Sequence, residues 1–309
     1  MTRALERKRP PAGVALAGPA AALAFVLVGP VHAATFTVTT NNDYGNGSLR
    51  QVIEAANASP GPDEIVFTVT GDIHLSSELP AITDDVRILG GGAVVVRGNG
   101  TSRLLGIAGG TTVEIEDLSI GGGRVEGVDD AGNGGCVLNA GTLVLRGVTL
   151  QDCQAERGGA IHNRGILSIA DSRIRMGTAL EGGGVHNARD ALLALSGSTI
   201  EDCFASHHGG GIDAVDSIVM VSRSTIRTSR ANVSGGAIAM RWSPGVQPPS
   251  GLLRLEESVL QANWADMTGG GVYNDRQLVA LIASTLAGNS SPGRGAVYTR
   301  PDRRPWYMR

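Results

Sequence analysis

Apolar and polar residues alternate in short segments along most of the chain, and Gly, Asn, Asp or Ser follows each segment. Residues 137–151 show this pattern three times, in 137–139, 142–145 and 148–151. Alternation with a period of two is typical of a β-strand with one buried face, and these repeats keep no helical period beyond one turn. The pattern therefore predicts very short strands separated by tight turns.

The predicted strands recur at a regular spacing. Six times a glycine pair precedes a Val or Ile, and a seventh, degraded copy reads Arg-Gly-Ala-Val. The first positions are Gly134, Gly158, Gly182, Gly209, Gly235, Gly269 and Arg294, with steps of 24, 24, 27, 26, 34 and 25 residues. Such a period indicates a repeat architecture. An insertion at Trp242–Gly251 accounts for the longest step.

Three strands in about 25 residues cannot bury an apolar face alone, so each repeat must stack on its neighbours. A leucine-rich repeat has a similar period, but its Leu-x-x-Leu-x-Leu consensus and its helical or long curved segment are missing here. We therefore predict an all-β solenoid, a single-stranded parallel β-helix with three short strands per coil of about 25 residues.

Stacking of coils predicts columns of equivalent side chains. One interior column is Val137, Ile161, Val185, Ile212, Ile238, Val272 and Val297. A second is an asparagine ladder that hydrogen-bonds along the axis, made of Asn139, Asn163, Asn187 and Asn274. A third reads Cys153, Gly177, Cys203, Ser229, Asn263 and Asn289.

The N-terminal part differs from the repeats. Ser48 followed by Gln51 is a capping-box arrangement, and Pro60-Gly61-Pro62 ends the helical pattern. The apolar face of this helix is Leu49, Val52, Ile53 and Ala56. We expect residues 34–62 to form a strand and a helix that caps the first coil, 63–299 to form the β-helix, and 300–309 to form an irregular basic tail.

Residues 1–33 have the pattern of a secretory signal peptide. A basic start precedes an apolar run over about 12–29, and Val31 and Ala33 supply the small residues at positions −3 and −1. A membrane anchor is the alternative, but Gly18, Pro19 and Pro30 interrupt the run. We predict cleavage near Ala33, a mature chain without a transmembrane segment, and export to the medium or the cell surface.

Charge and cysteine content narrow the possible functions. Without residues 1–33 the chain has 22 Arg, no Lys and 28 Asp or Glu, a formal charge of −6. This surface does not suit nucleic acid, and lysine chemistry is excluded. Cys153 and Cys203 lie two repeats apart, too far for a bond. We predict that all three cysteines are buried free thiols, that stacking alone stabilises the fold, and that the protein needs no cofactor.

Two motifs together resemble a known group. Residues 36–57, with Gly-Ser-Leu-Arg-Gln at 47–51, resemble the Cys-Ser-Leu-Arg-Glu-Ala segment of secreted bacterial right-handed parallel β-helix proteins; Gly47 replaces the cysteine and Gln51 the glutamate. The Gly-Gly-Ala-Ile and terminal-Asn repeats are similar to those of the polymorphic outer-membrane protein repeat group. The resemblance covers about 36–299. It implies a right-handed β-helix with a surface, mostly adhesive role and no particular activity.

The repeat register places one residue per coil between the inward Val or Ile and the inward Asn. We expect these residues to face outward in a row about 4.8 Å apart. Together with two nearby residues they form our candidate binding face: His162, His186, Asp213, Tyr273, Tyr298, His208 and Trp242. Imidazole and carboxylate also suit a divalent metal, but we predict none. An ordinary solvated strand face is the plainer interpretation.

These features favour an exported, monomeric binding or adhesive module, with a carbohydrate or another host or cell-surface ligand as its partner. One alternative is a polysaccharide lyase or glycoside hydrolase acting on acidic polysaccharide at the His162–His186–Asp213 face. Against it, the repeats lack converging carboxylates and calcium-binding repeats. Another alternative is a truncated passenger of a larger outer-membrane protein, since the repeat breaks down after Thr299.

Overall fold

The structure is a computed structural model that describes residues 33–127, 129–243 and 250–300. It shows an all-β, right-handed parallel β-helix of about 10 coils with about 26 residues per turn. This confirms the predicted fold class. The predicted signal peptide, most of the insertion after Trp242 and the basic tail beyond Arg300 lie outside the described residues.

Strands of successive coils pair in parallel and form four sheets within the described residues. Sheet 1 contains Thr35–Val38, Asp63–Phe67, Val86–Leu89, Thr112–Glu116, Thr142–Arg146, Ile166–Ala170, Leu192–Ser196, Ile218–Ser222, Leu252–Glu256 and Leu278–Ile282. Sheet 2 contains Gly71–His74, Val94–Arg97, Ser119–Gly121, Thr149–Gln151, Arg173–Arg175, Thr199–Glu201, Thr225–Arg227, Val259–Gln261 and Thr285–Ala287.

The other two sheets complete the coil. Sheet 3 contains Leu105–Ile107, Val137–Asn139, Ile161–Asn163, Val185–Asn187, Ile212–Val215, Ile238–Arg241, Val272–Asp275 and Val297–Arg300. Sheet 4 contains Thr178–Glu181, Phe204–His208, Arg230–Ala231 and Trp264–Ala265. Sheet 4 was not predicted: four coils carry a fourth short strand just before the glycine pair.

The glycine pairs are required by the backbone. Gly158 has a φ of +66°, a conformation that L side chains rarely adopt. A Cβ on the next residue, Gly159, would lie 2.2 Å from the carbonyl oxygen of Gly183 in the neighbouring coil. The first glycine therefore makes the turn, and the second lets two coils approach closely.

The predicted interior column is confirmed for six of its seven members. Val137, Ile161, Val185, Ile212, Ile238 and Val272 are fully buried, and each pairs with its equivalent in the next coil. Val297 pairs with Val272 but is 44% exposed. It lies on the outermost strand of sheet 3, so within the described residues only one neighbouring strand covers it.

The asparagine ladder forms over three coils. The Nδ2 of Asn139 donates to Oδ1 of Asn163, and the Nδ2 of Asn163 donates to Oδ1 of Asn187, each at 2.7 Å. Ala214 in the next coil ends the ladder. Asn274 is not part of it, contrary to the prediction, because its paired neighbours are Met240 and Thr299, which have no side-chain amide. It bonds to the backbone of Gln277 in its own coil.

A serine column that was not predicted lies where sheet 1 meets sheet 2. In this column each serine hydroxyl accepts a hydrogen bond from a backbone N–H of the preceding coil. Its members are Ser172, Ser198, Ser224, Ser258 and Ser284, at distances of 3.0 to 3.1 Å. Its five bonds, the first donated by the backbone of Val148, link six adjacent coils at a corner where the strand ladder is interrupted.

The predicted capping helix spans Leu49–Asn57. Ser48 is its N-cap and accepts a hydrogen bond from the backbone of Gln51, whose side chain accepts one from the N–H of Gly47. Leu49, Val52, Ile53 and Ala56 are buried against the first coils, as predicted. This helix is too short to span a bilayer, and no other helix in the described ranges has the length and apolar character to do so.

The prediction of three free thiols was wrong. Cys136 and Cys153 form a disulfide with their Cα atoms 5.5 Å apart, and only Cys203 among the three is free and buried. Burial raises the pKa of the Cys203 thiol to about 12. The sequence argument compared cysteines within one column, whereas this bond joins two different columns across the interior. A covalent link therefore adds to the stacking.

We expect the double variant Cys136→Ala/Cys153→Ala to lose about 3 kcal/mol of unfolding free energy, because the bond closes a loop with a sequence separation of 17. Denaturant unfolding with and without reductant measures this loss. Reductant should weaken the wild type and leave the double variant unchanged. Cys203→Ala is the matched control and should keep its response to reductant. A wild type insensitive to reductant would contradict the assignment.

Candidate functional site

The predicted row of outward residues lies on sheet 3, one residue per coil. His162 pairs with His186, His186 with Asp213, Asp213 with Ala239, and the row continues through Tyr273 to Tyr298. The structure therefore brings these residues together in the predicted order. The sequence established this order because a parallel register places equivalent positions on adjacent strands.

Exposure is where the prediction was wrong. His162 and His186 are each 4% exposed and Asp213 is fully buried, so this half of the row is not a solvated face. The two imidazole rings stack with centroids 4.9 Å apart and planes 9° from parallel. The guanidinium of Arg241 contacts the carboxylate of Asp213 on this half of the row.

Asp213, which is fully buried, is at the centre of an ion network. Arg241 donates from Nε and Nη2 to the two carboxylate oxygens of Asp213, at 2.6 and 2.7 Å. The same Nη2 lies 2.9 Å from Oε2 of Glu181, which Arg157 also contacts through Nε at 3.1 Å. Two guanidinium groups and two carboxylates thus neutralise each other across neighbouring coils. A buried charge is tolerated only with such partners.

The network fixes the charges of its members. Burial disfavours the ionised carboxyl of Asp213, but the Arg241 guanidinium and the His186 ring outweigh this and hold its pKa well below the usual range. Burial likewise opposes the charge on Arg241, yet the carboxylates of Asp213 and Glu181 raise the pKa of its guanidinium. Both groups therefore stay charged at any physiological pH.

The two histidines are buried from solvent, whereas the sequence predicted that they face outward. Burial, and then the neighbouring His186 ring, lower the pKa of His162 to about 2, so its imidazole is neutral. The Nδ1 of His186 lies 2.8 Å from Oδ2 of Asp213, but the contact lacks hydrogen-bond geometry. The Nδ1 atoms of both rings are buried without a hydrogen-bond partner among the described residues.

One cluster has the donor atoms of a metal site. Glu181, His186 and Asp213 bring ligand atoms within 4.8 Å of one another, a set that suits a divalent transition metal. Arg241, however, already donates to both oxygens of Asp213 and contacts Glu181. A metal ion would have to displace this guanidinium. The cation that this cluster holds is Arg241.

An open pocket of about 420 Å³ lies beside the network. Its lining includes three arginines together with acidic, polar and small apolar residues: Arg157, Arg189, Arg241, Glu181, His186, Ser243, Ala188 and Val215. We call it the arginine pocket. This volume falls within the range typical of small-molecule sites.

Aromatic side chains continue the row toward the C-terminal coils. The rings of Tyr273 and Tyr298 stack at 5.8 Å, and the ring of His208 lies 6.3 Å from that of Tyr273. All three are half-buried, and Nδ1 of His208 lies 3.1 Å from the hydroxyl of Ser234. We call these three residues the aromatic patch. The ring of Trp242 lies under the Arg276 guanidinium, at 4.4 Å.

Sequence reasoning missed Arg157, Glu181, Arg189 and Arg241, which supply most of the charge. A signal was present for two of them. The residue just before each glycine pair forms its own column of parallel pairs: Asn133, Arg157, Glu181, His208, Ser234 and Thr268. This column contributes Arg157 and Glu181 to the pocket and His208 to the aromatic patch. Arg189 comes three residues after His186 of the row, and Arg241 comes two residues after Ala239. Neither position shows a repeating pattern of arginine along the chain.

We expect His162→Leu to remove part of the pH dependence of stability. Below pH 6.5 the unfolded histidine binds a proton that the folded one, with a pKa of about 2, does not. The free energy of unfolding therefore decreases as the pH is lowered, by about 2 kcal/mol between pH 7 and pH 5. Leucine should fit, because Leu138 occupies the paired position in the adjacent coil.

Urea unfolding at both pH values tests this. The wild type should lose about 2 kcal/mol more than the variant. His74→Leu is the control, since the side chain of His74 is 73% exposed. It should behave like the wild type. Equal losses in His162→Leu and the wild type would show that His162 is not buried as a neutral group.

No protein-family model matches this chain, and no curated protein matches it. The fold and the geometry of sheet 3 therefore carry the functional argument.

Proposed function

We propose that the protein is an exported β-helix that binds saccharides on the outer side of sheet 3, as a secreted or cell-surface binding and adhesive module. The observation that carries this proposal is the arginine pocket of about 420 Å³ together with the aromatic patch on the same sheet. A pocket with converging polar groups beside apolar walls is the usual form of a small-molecule site.

The aromatic patch supplies what a sugar ring needs on its less polar face. Tyr273 and Tyr298 are half-buried and stacked, so their rings are held in place before a ligand arrives. An amphipathic ring with a polar tip suits a ligand that is apolar on one side and hydroxylated on the other. Little conformational entropy is then lost on binding.

Export and surface location complete the proposal. The leader pattern of residues 1–33 and the resemblance to secreted β-helix proteins and to the polymorphic outer-membrane protein repeat group support it. A disulfide at Cys136–Cys153 fits an oxidising compartment. The long stacked surface has the geometry that solenoid proteins use to present extended binding sites.

A second candidate is a lyase acting on an acidic polysaccharide. It is favoured by one observation, the Asp213 carboxylate 2.8 Å behind Nδ1 of His186 at the pocket wall. His186 would take the proton from the carbon next to the substrate carboxylate, and the β carbon–oxygen bond would break. The leaving oxygen would be protonated by water, and the new ring would carry a carbon–carbon double bond.

Binding to a glycan array, followed by assay of the bound glycans for ultraviolet-absorbing and reducing products, separates the two candidates. We expect binding without turnover by the mature chain. Tyr273→Ala should weaken binding about fivefold, the effect of losing ~1 kcal/mol of ring contact. Tyr44→Ala, which removes a 58% exposed tyrosine near the capping helix, is the control and should bind normally.

Turnover that disappears in His186→Ala would establish the lyase instead. Absence of binding to every glycan would contradict the proposed function.

A further inference from the structure

We propose that the arginine pocket recognises a carboxylate-bearing sugar, a uronic acid residue, through the guanidinium groups of Arg157 and Arg189. This inference rests on the proposed function and names its ligand class. It is carried by the arrangement of charge around the pocket, in which the acidic groups lie deep and two guanidinium groups lie at the surface.

The acidic groups are buried. The side chains of Asp213 and Asp216 are fully buried, and that of Glu181 is 17% exposed. The side chains of Arg157 and Arg189 are 50% and 51% exposed. An approaching anion therefore meets the two arginines first, and the carboxylates that balance them lie behind. Charge of one sign at the mouth of a cleft attracts a ligand of the opposite sign.

The two exposed arginines keep unused donors. Arg157 uses Nε for Glu181, and within the described ranges its two terminal nitrogens have no hydrogen-bond partner. Nε of Arg189 lies 4.0 Å from Oδ2 of Asp216, too far for a hydrogen bond. Asp216 does not depend on it, because Ser243 N and Gln277 Nε2 each donate to that carboxylate at 2.9 Å.

Arg241 has a different role from the other two. Its guanidinium is held by Asp213 and Glu181, so its charge is fixed and its donors are largely occupied. It positions the Glu181 carboxylate, which in turn holds Nε of Arg157. The deeper network thus pre-orients one of the two proposed ligand-binding arginines.

The shape and lining favour a sugar acid over an isolated anion. A guanidinium group presents parallel N–H donors that match the planar carboxylate. Ala188 and Val215 provide an apolar wall for a ring, and Ser243 provides a hydroxyl. A small anion alone would use neither. The pocket therefore has parts that correspond to the charge, the ring and the hydroxyl groups of a uronic acid.

Titration calorimetry of the mature chain with an oligogalacturonate and with its methyl ester tests the inference, because esterification removes the negative charge of the carboxyl group and adds only a methyl group. The acid should bind at least tenfold more tightly, and its affinity should fall as salt is added. Arg157→Gln and Arg189→Gln should each weaken binding of the acid about tenfold or more and leave that of the ester unchanged.

Arg254→Gln is the matched control, since Arg254 is 48% exposed on sheet 1 and pairs with Glu256 two residues later. It should bind like the wild type. Thermal unfolding of each variant checks that the coils remain stacked, and Arg189→Gln is the variant that disturbs the fewest contacts.

The outcomes separate the two proposals. If acid and ester bind equally and the arginine variants behave like the wild type, the uronic acid assignment is wrong and saccharide binding stands. If a sulfated oligosaccharide competes better than the acid, the carboxylate assignment is also wrong. If neither probe binds and the glycan array shows no ligand, both proposals fail.

Discussion

The parallel register between coils is the constraint on which the rest of the structure depends. Each strand exchanges backbone hydrogen bonds with the equivalent strand of each adjacent coil. A side chain therefore lies between the side chains at the equivalent positions one coil above and one coil below. A column is stable only if its members tolerate each other at about 4.8 Å. Valine and isoleucine do so by packing, and asparagine and serine by hydrogen bonding along the axis.

The same constraint makes charged columns difficult and explains the network on sheet 3. A carboxylate at Asp213 cannot be stacked on another carboxylate, and burial leaves it no water. Arg241 comes from the next coil and spans Asp213 and Glu181, so one guanidinium neutralises charge in two coils. The pocket and its exposed arginines are arranged around this buried pair. The proposed binding site is thus a product of how the solenoid accommodates charge.

The sequence was sufficient for several features that repeat, although the serine column and the column just before each glycine pair also repeat and were missed. The glycine pairs, the column from Val137 to Val272 and the order of the row from His162 to Tyr298 follow from period and register alone. Features that occur once could not be obtained in this way. The disulfide joins Cys136 to Cys153 across the interior, and nothing in the repeat pattern marks His162 as buried. Arg189 and Arg241 have no counterpart pattern, so only the three-dimensional structure placed them in the pocket.

A double-mutant cycle on Asp213 and Arg241 tests the central claim, that inter-coil register builds the site through this buried pair. Arg241→Met should cost about 3 to 5 kcal/mol of unfolding free energy, because it leaves the carboxylate of Asp213 buried without its cation. In the Asp213→Asn background, Arg241→Met should lower the unfolding free energy by at least about 2 kcal/mol less than it does in the wild type. A coupling of this size is expected only of residues in contact. Strictly additive costs would show that the two side chains do not pair across the coils and would contradict this account.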